Sequence, residues 1–110
     1  VFEDGGQVRD FVHVSDVARA NRLAVEAGLE GFVALNVCSG TPVSIGEVAA
    51  TLARAARGPA PEVTGRYRAG DVRHVVADPA RARATLGFTA QVGPARGIAD
   101  FAEAPLRAVP

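Results

Sequence analysis

A chain of 110 residues with 48% hydrophobic residues and a formal net charge of zero is one small globular domain with enough apolar mass for a modest core, which excludes a disordered segment. No apolar run approaches the roughly 18 residues of a membrane span, the N-terminus lacks the pattern of a signal peptide, and the balanced charge lacks the basic excess of a general nucleic-acid binder. A single cysteine, Cys38, rules out an internal disulfide and fits a reducing cytoplasm.

Two absences bound the chemistry further. All 12 basic residues are arginine, so no lysine-based Schiff base, phosphate-loop lysine or lysine-assisted tyrosine arises from this chain. There is no methionine, so Val1 is not a translation start unless processing removed one, and the chain reads as a piece of a longer protein.

In chain order, Val8 to Val14 reads as a strand rich in β-formers. "VSDVARANRLAVEAG" follows, with Ser15 as N-cap, Asp16 in the first turn, where the helix dipole favours an anion, and Val17, Ala20, Leu23, Ala24 and Ala27 on one face. Gly28 is the stop signal. The apolar run Phe32 to Gly40 predicts a short buried strand of a parallel sheet. Ser44 and Glu47 have the capping-box spacing, and Ile45, Val48, Ala49, Leu52, Ala55 and Ala56 predict an amphipathic helix that ends at "RGPAP". "EVTG" and "VVA" read as brief strands around a polar loop, "RYRAGDVRH". Asp78 and Pro79 open a short helix that Gly87 closes, and a last helix covers Pro94 to about Glu103. The alternation is β-α-β-α-β-α-α in one unit. Such a short sheet has exposed edges and looks like the end of a larger α/β fold.

Several chemistries are excluded by spacing. Gly5-Gly6 precedes a strand, and no Gly-x-Gly-x-x-Gly cradle for a dinucleotide exists. His13 and His74, the only histidines, lack partners at metal-ligand spacing, so no metal site is expected. His13 reads as a hydrogen-bonded structural residue, Cys38 as a small core side chain, and Ser15 and Ser44 as caps rather than nucleophiles. The arginine loop is different: Arg66, Arg68 and Arg73 surround a Gly-Asp pair, and the planar guanidinium fork suits phosphate oxygens. Arg9 and Arg68 would suit a diphosphate, with Asp71 accepting from ribose hydroxyls. The bland alternative is a solvated surface loop whose charges pair with nothing.

Four stretches, "VRDFVHVSDVARA", "ALNVCSGTPVSIGEVA", "YRAGDVRHVVADPARARATLGF" and "GPARGIADFA", in this order and spacing, resemble the C-terminal part of the extended short-chain dehydrogenase/reductases, the NAD-dependent nucleotide-sugar epimerases and dehydratases. The openings "VFEDGGQVRDFVHV" and "VTGRYRAGDVRHV" most resemble the dTDP-L-rhamnose 4-epimerase type. The resemblance implies an α/β fold in which residues 1–110 form the C-terminal substrate-binding portion of an extended Rossmann-type fold, with short strands alternating with helices. It also implies that NAD is bound by an N-terminal domain absent from this chain. Arg9 and Arg68 match the diphosphate arginines, Asp71 the ribose acid, Phe11 an aromatic beside the nucleotide, Ile45 an apolar contact to the base, and Asn36 a strand-end residue near the nucleotide. In the intact, cytoplasmic enzyme the implied reaction oxidises the sugar C4, lets the ketone turn and reduces its other face. A 4,6-dehydratase or 4-keto reductase could share the same grip, and a non-catalytic truncated binding module is the alternative from another class. The family's Tyr-x-x-x-Lys pair is missing, since Tyr67 is the only tyrosine and there is no lysine. The chain alone is therefore expected to be inactive, with an NDP-sugar as its partner, neither nucleic acid nor membrane, and a homodimer formed through the missing half.

Overall fold

The expected strand from Val8 pairs for only two residues. In the structure, a computed structural model that describes residues 1–105, β1 (Val8–Arg9) is flanked by β2 (Val43–Ser44) and β3 (His74–Val75). The β1–β2 pairing is antiparallel, with Val8 opposite Ser44 and Arg9 opposite Val43, whereas β1 and β3 run parallel. The chain then enters α1 (Val14–Glu26), followed later by α2 (Ile45–Ala55), α3 (Ala80–Leu86) and α4 (Pro94–Glu103). The predicted alternation of strands and helices holds, but its second strand does not. Phe32 to Gly40 is not a ladder strand, and Phe32 is 95% exposed. Its end is held by side chains instead: Asp10 accepts from the Ser39 and Gly40 N–H groups at 2.6 and 2.9 Å, and Cys38 Sγ donates to the Ala77 carbonyl. "EVTG" is likewise outside the sheet, although the Val1 amine donates to the Glu62 carbonyl and Thr64 N–H to the Val1 carbonyl, the alternating pattern of a parallel pair.

Helix starts follow the sequence closely, displaced at α1 and, by one residue, at α3, which begins at Ala80 after Pro79. His13, not Ser15, caps α1: its Nδ1 accepts from Ser15 N–H, and Ser15 Oγ lies 2.7 Å from the same nitrogen. Asp78 Oδ1 accepts from Ala80 N–H at 2.8 Å, and Gly87 ends α3 at φ 64°, left-handed backbone that favours glycine. At the start of α2 both arms of the capping box are made. Ser44 Oγ accepts from Glu47 N–H, and Glu47 Oε2 accepts from Ser44 N–H at 2.8 Å and from its hydroxyl at 2.7 Å. The Ser44 amide and hydroxyl hold the Glu47 carboxyl below its ordinary range. Ser44→Ala should therefore cost about 1 kcal/mol of stability in urea denaturation, with Ser44→Asp restoring most of it; an unchanged midpoint for Ser44→Ala would remove the cap from the account.

The core joins α1, α3 and the segment after it. Ala20, Ala82 and Phe88 are buried together, with Leu23, Leu35, Val37, Leu86 and Ala90 packed around them. The predicted α1 face is only partly realised, because Ala24 and Ala27 are exposed. α2 packs on α4 as a second layer. Between them and the β1–α1 junction lies an apolar groove of about 520 Å³, lined by Phe11, Val48, Leu52, Pro94, Ile98 and Phe101 among others. No helix among the described residues is long and apolar enough to cross a membrane.

Candidate functional site

The sheet and the arginine loop bring Arg9 and Asp71 together across 62 residues of sequence. β1 delivers Arg9 to the sheet's end, and β3, which follows the loop directly, fixes where the loop returns. Val8 N–H donates to the Arg73 carbonyl at 2.9 Å. The Arg9 guanidinium then closes the arrangement: Nη1 donates to the carbonyls of Val8 (2.8 Å) and Arg73 (3.1 Å), and Nη2 to the Val72 carbonyl (2.6 Å) and Asp71 Oδ1 (3.2 Å). Arg9 and Asp71 side chains are 24% and 35% exposed, so their ion pair alone contributes no more than about 1 kcal/mol. The carbonyls of Val72 and Arg73, which tie the loop backbone to β1, contribute more. Arg68 stands in the same turn, its carbonyl accepting from Asp71 N–H at 3.1 Å.

Of the remaining candidates, Ile45 is adjacent through the backbone, its N–H donating to the Gln7 carbonyl at 2.9 Å, two residues before Arg9. Phe11 is 38% exposed and lines the apolar groove. Asn36 is turned elsewhere, its Nδ2 reaching the Asp78 carbonyl at 3.4 Å. The structure thus joins Arg9 to Asp71, with Arg68 in the same turn through its backbone, holds Ile45 at the β2 edge of β1, and gives Asn36 no hydrogen bond to Arg9 or Asp71.

Two features were not legible in the loop's own residues. Arg73 is tied to the N-terminal turn: it binds Asp4 Oδ2 at 2.7 Å and Glu3 Oε2 at 3.2 Å. Its guanidinium, together with the Gly6 N–H, lowers the Asp4 carboxyl to about 2. The bland expectation of unpaired loop charges is therefore wrong for Arg73 and Asp71. Phe2 is the second: the Arg68 guanidinium carbon lies 5.7 Å from the centre of its ring. The only sequence signal was an aromatic residue before the turn Glu3-Asp4-Gly5-Gly6. Gly5, at φ 73°, lets that turn press on α2: a Cβ there would sit 3.2 Å from Gly46 Cα.

Among the described residues nothing is arranged as a dinucleotide cradle. The free N–H groups that make a helix start attractive to pyrophosphate are already used at α2, where Ile45 donates to Gln7, Gly46 to Gly5 and Glu47 to Ser44. At α1, Ser15, Asp16 and Val17 all donate to His13. The starts of α1 and α2 therefore offer a dinucleotide no free N–H groups at these positions. No group of three His, Cys, Asp or Glu residues is gathered as a metal site among them either.

Comparison with known proteins identifies the larger structure to which this arrangement corresponds. The model of the NAD dependent epimerase/dehydratase family matches residues 1–38. The dTDP-L-rhamnose 4-epimerase of Burkholderia thailandensis is 36% identical over 101 residues, 92% of this chain and 28% of that protein. The UDP-glucose 4-epimerase of Mycolicibacterium smegmatis is 38% identical over 104 residues, 94% of this chain and 33% of that protein. Among solved structures, MoeE5 in complex with UDP-glucuronic acid and NAD superposes with a TM-score of 0.81 at 39% identity, over 94% of this chain and 34% of that one. UDP-glucose 4-epimerase from Thermotoga maritima, with UDP-glucose, gives 0.81 at 31% identity over 94% and 33%. The α/β fold thus corresponds to about a third of the fold of those Rossmann-type enzymes. In sequence and in fold the chain is a relative of the NAD-dependent epimerase/dehydratase family, spanning about a third of the length of the proteins it matches.

Proposed function

We propose that this chain is the C-terminal, nucleotide-gripping segment of an NAD-dependent sugar-nucleotide 4-epimerase, and that its substrate is a dTDP-deoxysugar. The observation that carries this reading is the meeting of Arg9 with Asp71 beside Arg68. Two guanidinium groups suit the two phosphates of a nucleotide sugar, and a carboxylate next to them suits ribose hydroxyls. A diphosphate arriving at Arg9 competes with Asp71 for Nη2 and frees that carboxylate for the ribose. Ile45 and Phe11 supply apolar surface for the base and its surroundings. NAD and the proton-transfer pair belong to a preceding Rossmann domain, through which the intact enzyme also dimerises in the cytoplasm. Tyr67, 76% exposed and without a lysine partner in this chain, takes no part in that chemistry. The 110 residues alone therefore turn over no sugar nucleotide.

Arg68→Ala tests the grip. In the intact protein it should raise the dissociation constant of dTDP and of its sugar conjugate about tenfold, as expected for losing one charge-assisted bond, while NAD affinity stays within about twofold. Titrating UDP in parallel decides the base: tighter binding of UDP than of dTDP would replace the deoxysugar assignment with a UDP-sugar. Equal dTDP affinity in wild type and Arg68→Ala would sink the diphosphate role.

A further inference from the structure

Resting on the reading of Arg68 as a diphosphate ligand, we propose that Phe2 is a positioning residue for Arg68, its ring face holding the guanidinium in place for the phosphate. Arg68 has no ion pair among the described residues, and it sits in a loop where Tyr67 and Val72 are 76% and 57% exposed. An arginine on such a loop loses much of its rotamer freedom on binding an anion, and that loss weakens binding. The contact that restrains it here is the face of Phe2, at 5.7 Å, within the range in which a cation is drawn to the ring's negative face.

The ring is itself set by backbone bonds. The Val1 amine donates to the Glu62 carbonyl at 2.7 Å, Thr64 N–H to the Val1 carbonyl at 3.0 Å, and Glu3 N–H to the Arg66 carbonyl at 2.7 Å. Phe2 is thereby carried alongside the chain that leads into Arg68. On the other side, the Phe2 carbonyl accepts from Gly5 N–H at 3.1 Å, and Glu3 has positive φ, 50°. The turn they make carries Asp4, which holds Arg73 at the far end of the same loop. The N-terminal turn therefore clamps the loop twice: by an ion pair at Arg73 and by the aromatic face at Arg68. Phe2 is 43% exposed, so its ring is not a core element, and replacing it leaves the packed layers intact.

The test is a double-mutant cycle in the intact protein, read by calorimetric titration of dTDP, UDP and the corresponding nucleosides. Phe2→Leu keeps an apolar side chain without the π face and should weaken nucleoside diphosphate binding about two- to fivefold. Phe2→Tyr should bind as wild type. In an Arg68→Ala background Phe2→Leu should cost nothing further, and nucleoside affinity should not change in any Phe2 variant. Three results overturn the proposal: wild-type diphosphate affinity in Phe2→Leu, an equal loss with and without Arg68, or an equal loss for nucleoside and nucleotide, which would put the ring on the base itself. If Arg68→Ala alone changes nothing, the diphosphate reading fails and this inference falls with it. A loss on Arg68→Ala beside a neutral Phe2→Leu overturns only the positioning role.

Discussion

Replacing Asp16 with alanine should destabilise the protein by about 3 kcal/mol, because a buried carboxylate there satisfies three donors at once. Asp16 is 1% exposed. It accepts from the N–H groups of Gln91 (3.0 Å) and Val92 (2.9 Å), and from Arg19 Nη2 at 2.9 Å. Those bonds tie α1 to the segment that leads into α4. Arg19 also stacks over the buried Phe88 ring at 5.0 Å and donates to the Thr89 carbonyl. Without the carboxylate, two backbone donors and a guanidinium against the core are left uncompensated. Asp16→Asn keeps one acceptor oxygen and should cost less than the alanine variant.

The same residue gives the stability an acid dependence. Burial pushes the Asp16 carboxyl upward, but the Val92 and Gln91 N–H groups and Arg19 outweigh it, so the folded value lies below the ordinary 3.8. A carboxyl whose folded pKa is depressed stabilises the fold fully above its unfolded value and loses that contribution as pH falls through the folded one. Stability should therefore fall below about pH 4, and Asp16→Asn should flatten that slope in denaturation curves taken from pH 5 downward. A wild-type slope in the asparagine variant would remove Asp16 as its source.

Asp16 also marks the limit of what the chain's pattern conveys. As a first-turn acid it was legible from local rules, and so were the Ser44–Glu47 box, the Asp78–Pro79 start, the Gly87 stop and α4, all of which depend on residues within one helical turn of each other. Its bonds to Gln91 and Val92, 75 and 76 residues away, were not. The failed strand at Phe32 to Gly40 has the same origin: an apolar run predicts burial, but burial needs a neighbour. Its exposed Phe32, like Val25 and Phe101 at 84% and 72%, has little to pack on within the described residues. The chain exposes 7792 Å², against about 5,700 Å² for a folded monomer of its mass by the usual size scaling. That excess fits a chain spanning a third of its relatives. For the site, Arg9, Arg68 and Asp71 were nameable from residue type and resemblance, whereas Phe2 and the carbonyls around Arg9 appear only when distant segments are brought together.

Arg9 should prove the more costly of the two arginines to lose. On the proposed grip, Arg68→Ala removes one anion contact; Arg9→Ala removes an anion contact and the two carbonyl bonds, to Val72 and Arg73, that hold the loop against β1. Nucleoside diphosphate affinity in the intact protein should drop about a hundredfold, or about 2.7 kcal/mol, against about tenfold for Arg68→Ala. Two further readouts separate the roles. Amide hydrogen exchange in residues 71–73 should quicken in Arg9→Ala and remain unchanged in Arg68→Ala. Arg9→Lys keeps the charge but cannot present a planar fork to carbonyls in several directions, so it should recover only a small part of the affinity and little of the protection. Full recovery by lysine would reduce Arg9 to a point charge facing the phosphate. Unchanged exchange in Arg9→Ala would mean that the 71–73 backbone is held by the β1–β3 ladder alone, with the guanidinium a passenger on it.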